Sequence, residues 1–414
     1  MRAYLVPAAR LVPAAFLLLA VAQGCDTRVR ENPFDPMNPE SGGRPSLLTA
    51  IARDGFADLR WDDGGMRGIA GFTIHRGENP GALELVAEVS AEDRFLREVG
   101  LAPDVTYYFA VGFRFNGQAP LLTEVQAVTP GPDVPWVLDA ADPPLALLSA
   151  DGRAVVSRQA PGADLVDLSV DPSLSLAWSV DPTNGHVVAY DHNGDLDRLW
   201  ERFDSPTRVS ADLESGGVWI ISFDKGTLMR VDAAGKRTLV DDTLVGPLDV
   251  EASPIGGCWV CDELGQIHRY SPTGDRFTPA QVARPLELSA AGDNEVWIAD
   301  PVAGEVVKVS NLGVTARAAG FDGPFSVAAT PDGGCWVADR ERVLRVDGDG
   351  EVLLTVEGFI GARAVASNPR TGECWVADSL GDMIVRVSSD GAWVVTMTEV
   401  LSPFAVAGRW GRPD

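Results

Sequence analysis

Four charged residues occupy one repeated position in this chain, each directly before a residue of a recurring Val or Leu column. They are Asp167, Arg208, Asp249 and Glu287, and the later copies of the position carry Ser326, Ala364 and Ala405. A repeated array that is charged in only some of its copies breaks its own symmetry where a ligand can be recognised. We therefore predict that the four charged residues contact a ligand. The alternative is solvated charge at loop ends in an acidic chain.

Two of the cysteines have the spacing of a zinc or redox site, but the residues between them make such a site implausible. Cys258 and Cys261 form a C-x-x-C pair, a usual signal of a zinc or redox site. The Trp-Val pair between them indicates a β-strand, on which residues three apart point to opposite faces. Cys335 and Cys374 repeat the position of Cys258, so these three should lie beyond the roughly 7 Å Cα limit of a disulfide. The sequence predicts small buried thiols.

The other polar groups predict turns. An Asp recurs three residues after a repeated Trp, where aspartate commonly bonds the following amides; the copies are Asp139, Asp181, Asp262, Asp300, Asp339 and Asp378. Acidic runs at residues 191–197 and 347–351 resemble calcium loops only superficially, because neither has the twelve-residue spacing that ends in a bidentate Glu. The histidines share no repeated position; they are His75, His186, His192 and His268. We predict no catalytic residue, no cofactor and no metal.

A tryptophan repeat positions all of these groups. Its members are Trp136, Trp178, Trp219, Trp259, Trp297, Trp336 and Trp375, at intervals of 38 to 42 residues. Each unit has a Gly-bearing turn, a strand with the Trp and further short strands, and most have an upstream strand with the Val or Leu column. Four short strands in about 40 residues indicate a propeller or a solenoid.

The repeat texts GGCWVCD, DNEVWIAD, GGCWVADR and GECWVADS, each followed by a hydrophobic strand, resemble NHL-type repeats. The resemblance covers residues 134–414 and implies a β-propeller whose channel mouth carries the charged positions. Seven Trp strands predict seven blades, with residues 404–408 completing the blade that begins at Trp136. Six blades is the alternative, if the Trp136 unit is a linker.

Residues 46–130 alternate apolar and polar side chains in short runs, which predicts a β-sandwich before the propeller and an all-β fold overall. Trp61 ends the second run, and Leu101, Pro103 and Tyr107 form an L-x-P-x-x-x-Y pattern. The pattern resembles a fibronectin type III domain. That resemblance implies that the Tyr107 hydroxyl bonds the main chain as a tyrosine corner.

The N-terminus predicts export and anchoring. Residues 1–24 join a basic start to an apolar stretch too short to span a bilayer, which is typical of a signal peptide. The stretch ends in AVAQGC, which resembles a bacterial lipobox and implies lipidation of Cys25. Ala22 and Gln23 depart from the usual lipobox, so secretion with a free Cys25 is the alternative. Residues 25–45 are rich in Pro and predict a flexible tether.

The formal net charge of −25 excludes nucleic acid and anionic lipid surfaces as partners, because both would repel the chain. The sequence predicts a cell-envelope protein, held by its lipid at the inner or outer membrane, with folded domains in the periplasm or at the cell surface. Its propeller would bind a protein or small molecule without catalysis. The alternative is a metal-dependent propeller enzyme of the lactonase or lyase type, using Asp249, Glu251 and Glu287.

Overall fold

The computed structural model describes residues 32–409, apart from residues 54, 104, 132–133, 161–162, 172 and 293. The signal peptide and Cys25 therefore lie outside the described residues. The chain divides into two compact units, residues 1–45 and residues 46–414. In the first unit, residues 32–45 form turns, and Asn38 Oδ1 accepts the amides of Glu40 and Ser41. Within the described ranges, no helix has the length and apolarity needed to cross a bilayer.

The second unit begins with two antiparallel sheets. Their strands are β1 (Leu48–Ala52), β2 (Phe56–Trp61), β3 (Ile69–Gly77), β4 (Glu84–Val89), β5 (Phe95–Val99), β6 (Tyr107–Phe115), β7 (Leu121–Leu122) and β8 (Gln126–Val128). One sheet has the order β1-β2-β5 and the other β4-β3-β6-β7, with β8 also paired to β6. Trp61 and Phe113 pack on Phe72, with ring centroids 5.6 and 5.1 Å away. The Tyr107 hydroxyl accepts the Ala102 amide at 3.1 Å, as a tyrosine corner requires.

The remaining strands form antiparallel groups of four, which we call blades. They are β9 (Val134–Leu138), β10 (Leu145–Leu148), β11 (Val155–Gln159), β12 (Asp167–Asp171), β13 (Leu176–Asp181), β14 (His186–Tyr190), β15 (Leu196–Trp200), β16 (Arg208–Asp212), β17 (Gly217–Ser222), β18 (Thr227–Val231), β19 (Arg237–Asp241), β20 (Pro247–Ala252), β21 (Cys258–Asp262), β22 (Gln266–Tyr270), β23 (Arg276–Gln281), β24 (Glu287–Ala290), β25 (Glu295–Asp300), β26 (Glu305–Ser310) and β27 (Gly313–Ala319). The chain continues with β28 (Ser326–Ala329), β29 (Cys335–Val346), β30 (Val352–Ser367), β31 (Cys374–Asp378), β32 (Met383–Val387), β33 (Trp393–Met397) and β34 (Ala405–Arg409).

Strands β12 to β27 form four sheets of four consecutive strands each. Strands β28 to β33 form one six-stranded sheet, in which β29 and β30 are long enough to serve as two consecutive strands each. The last sheet has the order β11-β10-β9-β34, so β34 pairs with β9 and completes a sheet with three strands from the start of the propeller. In it, Ala407 lies opposite Trp136.

The first strands of the blades contact one another in a closed cycle. Strand β12 contacts β16, and the contacts continue through β20, β24, β28 and β30 to β34, which contacts β12 again. A closed cycle of four-stranded antiparallel blades leaves few free sheet edges, which is how a propeller protects its strands. The structure thus confirms the predicted all-β fold with a β-propeller.

The repeated tryptophans fill the space between the blades, and each is at most 2% exposed. A feature that the repeat did not reveal is a cation over the ring. Arg230 lies opposite Trp219, with its guanidinium 5.2 Å from the ring centroid. The same arrangement joins Trp259 to Arg269, Trp297 to Lys308, Trp336 to Arg345 and Trp375 to Arg386. A desolvated pair of this kind contributes up to about 2 kcal/mol.

Candidate active site at the channel mouth

The four charged residues singled out in the sequence lie together at one end of the propeller axis. Asp167, Arg208, Asp249 and Glu287 stand at or near the starts of β12, β16, β20 and β24 and line one cavity of about 160 Å³. The wall across from them contains Phe325, Arg363, Ala364, Phe404 and Ala405. Arg363 was missed in the sequence, although it directly precedes the repeated position at Ala364. The mouth is therefore acidic on one side and mainly apolar on the other.

Arg208 supplies the positive charge among the carboxylates. Its Nε lies 4.0 Å from Asp249 Oδ1. Burial opposes the guanidinium charge, but attraction to Asp167, Asp249 and Glu287 outweighs it and raises the pKa of Arg208. The mouth thus holds a permanent cation partly removed from water, where it acts on a bound ligand more strongly than at the surface.

The carboxyl groups around Arg208 titrate far from their usual range. Burial raises the pKa of Asp249 well above its ordinary value, and repulsion from Asp167 adds to the shift. Burial, with a smaller contribution from Asp167, raises the pKa of Glu287 to about 8. Glu251, two residues after Asp249 on β20, has its pKa raised to about 7, mainly by burial. Glu287 and Glu251 therefore change charge near neutral pH, as general acids and bases do.

The acidic residues also join neighbouring blades. Asp167 Oδ2 accepts the amide of Val209 at 2.7 Å, and Asp249 Oδ2 accepts the amide of Leu288 at the same distance. Glu287 Oε1 instead accepts the Ser326 hydroxyl at 2.6 Å. Each bond links the first strand of one blade to that of the next. These carboxylates consequently have a structural role beside any role in binding.

A second set of links lies two residues further along the same strands. Side-chain oxygens of Ser169, Ser210, Glu251 and Ser289 accept the amides of Ala211, Ala252, Ala290 and Ala329. On the apolar side, Ala364 and Ala405 offer no side-chain acceptor, so such links cannot form from them. Ser326, the next and uncharged residue of the array, does form such a link, because its Oγ accepts the Val365 amide at 3.1 Å. The side-chain bonds between blades therefore run from β12 as far as β30.

This arrangement can move a proton and stabilise negative charge. Glu287 is a carboxyl group that gains or loses a proton near pH 8. Arg208 lines the same cavity and supplies N–H groups and a positive charge, which suit a developing oxyanion. The apolar wall can hold the rest of a substrate away from water.

The same residues do not fit a divalent metal ion. Among the residues that the structure describes, no group of three His, Cys, Asp or Glu side chains could hold one. The Arg208 guanidinium already neutralises the acidic cluster, and one oxygen each of Asp167 and Asp249 is bonded to a backbone amide. No step proposed below involves a metal.

Other groups considered in the sequence lie away from the mouth. Cys258 and Cys261 are buried free thiols in different core clusters, on opposite faces of β21. Burial raises the pKa of both thiols. His268 is buried on β22, where its ring bonds Asp262 at 3.2 Å and Thr278 at 2.9 Å.

Both acidic runs form turns. Asp191 Oδ1 accepts the amides of Asn193 and Asp195, each at 2.9 Å. Asp347 Oδ1 accepts the amides of Asp349 and Glu351, at 3.0 and 2.9 Å. These bonds within the hairpins account for the shape that the two runs share without a bound cation.

No family model matches the chain. It is similar to virginiamycin B lyase from Nocardia farcinica, with 28% identity over 198 residues, which are 47% of this chain and 68% of that protein. Among solved structures, a protein of unknown function from Desulfotomaculum acetoxidans has a TM-score of 0.57 and 13% identity, covering 68% of this chain and 99% of that one. A streptogramin B lyase has a TM-score of 0.52 and 14% identity, covering 61% of this chain and 89% of that one. At these identities the solved structures show the propeller fold alone.

The prediction of a binding or scaffolding module without catalysis is contradicted by the curated relative, which is an enzyme. The findings favour the lyase-type propeller that the sequence analysis held as its alternative. The error has a physical cause. The histidines of the sequence share no repeated position, and no sequence pattern shows that burial brings the pKa of Glu287 to about 8.

Proposed function

We propose that this chain is a propeller enzyme of the lyase type and that its reaction takes place at the channel mouth. The observation that carries the proposal is the 28% identity to virginiamycin B lyase. The titratable Glu287 beside Arg208 supplies the chemistry that an elimination needs. A lyase cleaves a bond without water, so the site must remove a proton from carbon and stabilise the charge that results.

In this proposal, the ionised Glu287 takes a proton from the carbon next to a substrate carbonyl. The electron pair of that C–H bond moves onto the carbonyl oxygen, where Arg208 stabilises it. Its return forms a carbon–carbon double bond and expels the leaving group from the adjacent carbon, which departs with the bonding pair. Atoms balance without water or a redox partner. Glu287 then returns the proton to the leaving group or to solvent.

The assignment to Glu287 follows from a difference from a solved relative. A structure of virginiamycin B lyase from Staphylococcus aureus with quinupristin is a catalytically inactive variant in which a histidine is replaced by alanine. In the described part of this chain no histidine lines the mouth. We therefore assign the proton to a carboxylate, Glu287, which lines the cavity and has a pKa of about 8.

The test is incubation of the purified protein with virginiamycin B and with quinupristin, followed by mass spectrometry. Elimination adds no water and creates a new double bond, whereas hydrolysis adds one water. We expect Glu287→Gln to lower the rate about 10²- to 10⁴-fold. Glu251→Gln is the matched control, because Glu251 does not line the cavity. A product that gains water, or full activity in Glu287→Gln, would contradict the proposal.

We further propose that lipidation of Cys25 holds the enzyme at the cell envelope, through the tether and a fibronectin type III-like spacer, and that the NHL-like ring has seven blades. The motif AVAQGC and the Tyr107 bond to Ala102 support this arrangement. Metabolic labelling with a palmitate analogue tests the anchor. Label should be lost in Cys25→Ser, and label that persists there would exclude the anchor.

A further inference from the structure

The aspartates that follow the repeated tryptophans hold the loop that enters each blade. Asp300 Oδ2 accepts the amides of Ala283 and Arg284 at 2.8 and 2.9 Å. Loop amides are bonded in the same way by Asp139, Asp181, Asp339 and Asp378. Asp262 instead accepts from its own hairpin and bonds His268. A buried carboxylate between two blades is thus a repeated structural element.

The blade formed by β16–β19 lacks this carboxylate. Its equivalent residue is Ser222, whose side chain is too short to reach the loop. Ser222 is 5% exposed, and its buried hydroxyl has no hydrogen-bond partner. Asp204 and Ser205 occupy the loop positions whose amides the other aspartates accept. Neither amide donates to a protein acceptor in the part of the chain that the structure describes.

A cavity of about 330 Å³ lies where the missing side chain would reach. Its apolar lining includes Phe203, Pro206, Ile220 and Met229, and its polar lining includes Asp204, Ser222, Lys225 and Thr227. Lys225 Nζ lies 3.1 Å from Asp204 Oδ2, and the Lys225 side chain is 47% exposed. The opening of the cavity therefore carries the exposed Lys225–Asp204 ion pair, and its interior has the unpaired Ser222 hydroxyl. Its volume is within the range of small-molecule sites.

We propose that this cavity binds the carboxylate of a small organic acid with an apolar chain. The ligand carboxylate takes the place of the missing aspartate and accepts from the Ser222 hydroxyl and from the amides of Asp204 and Ser205. The Lys225 ammonium group stabilises its charge, and the apolar chain packs on Phe203 and Met229. A buried donor left unpaired is unfavourable, so a ligand that pairs it gains affinity.

This site is separate from the channel mouth, because the two cavities share no lining residue. It goes beyond the proposed lyase reaction and does not depend on it. A carboxylic acid bound here contacts β17, β18 and the loop that enters this blade before Arg208. Binding should therefore stabilise the propeller, whether or not the mouth is catalytic.

The test compares hexanoate with hexanamide, which has the same chain and no charge, by calorimetry and thermal unfolding of the full-length protein. We expect hexanoate to bind and raise the melting temperature, and hexanamide to bind at least about tenfold more weakly. Ser222→Asp restores the internal carboxylate, so it should lose hexanoate binding and melt higher than the wild type without ligand. Ser46→Asp adds the same charge at an exposed position and should leave binding unchanged.

Lys225→Gln gives an independent test at an exposed residue, where folding should not be affected. We expect it to weaken hexanoate binding about tenfold while hexanamide binding stays the same. Equal binding of the two compounds, or unchanged binding in Ser222→Asp, would overturn the proposal. A Ser222→Asp protein that melts lower than the wild type or does not fold would overturn it as well, since the space would then not accept a carboxylate.

Discussion

The amide nitrogen of Val209 donates to Asp167 Oδ2 across 2.7 Å, so a carboxylate of one blade bonds the backbone of the next. Asp167 also helps to raise the pKa of Glu287 by repulsion. One residue therefore serves both the stability of the ring and the electrostatics of the mouth. A substitution that keeps the hydrogen-bond acceptor at residue 167 but removes its charge can measure the effect on stability and the effect on the Glu287 pKa separately.

Asp167→Asn keeps an acceptor for the Val209 amide and removes the negative charge. We expect it to fold with nearly wild-type stability and to lower the pKa of Glu287, because one source of repulsion is gone. The pH at half-maximal activity should fall accordingly. Asp167→Ala removes the acceptor too and should lose about 1–3 kcal/mol of unfolding free energy. Equal stability of the Asn and Ala variants in urea would show that the bond to Val209 contributes nothing.

Stability should fall as pH rises from about 4.5 to about 8. The pKa of Glu287 rises on folding from 4.5 to about 8, and that of Glu251 from 4.5 to about 7. A raised pKa means that the folded state prefers the proton. The stabilisation is complete below the unfolded value and is lost as pH passes the folded value. Urea unfolding at several pH values measures the slope, which Glu287→Gln should reduce. If Glu287→Gln leaves the slope of unfolding free energy against pH unchanged, a group other than Glu287 has the raised pKa.

Removal of the cation at the mouth should be most damaging at high pH. Arg208→Gln leaves three carboxyl groups close together without a counter-charge. The pKa of each of the three is raised, to about 8 for Glu287, so at acidic pH they hold protons and less stability is lost. Near pH 8 they must ionise against one another, and the loss should be about 1–3 kcal/mol. Arg208→Lys keeps the charge and is the control. A loss that does not vary with pH would mean that Arg208 acts through packing.

Deletion of residues 402–414 should unfold the propeller, because it removes β34 from the sheet that it shares with β9. Val406 is buried, and burial of such a side chain is worth roughly 1.5–3 kcal/mol. Deletion of residues 410–414 leaves β34 complete and should have little effect. Strands β1 to β8 do not pair with β34, so we expect their unfolding transition to survive in both proteins. A melting profile like that of the full chain after the longer deletion would favour closure elsewhere in the ring.

Sequence reasoning found features that repeat and missed those that depend on the closed ring. The tryptophan period placed the strands, and the charged column located Asp167, Arg208, Asp249 and Glu287 at one cavity. The bonds between blades join residues about 40 positions apart. A short sequence pattern therefore cannot predict them. The pKa of Glu287 depends on burial that exists only in the folded ring. Ser222 was visible as a gap in the aspartate series, but the cavity beside it was not.

The pairing of β9 with β34 also determines when the propeller can close during synthesis. A ribosome releases β9 before all other strands of the propeller and β34 after them. Until β34 arrives, one edge of β9 carries unpaired amide and carbonyl groups that can attract a wrong strand. The propeller therefore cannot close until β34 has emerged from the ribosome, and that edge of β9 is open to wrong pairing until then.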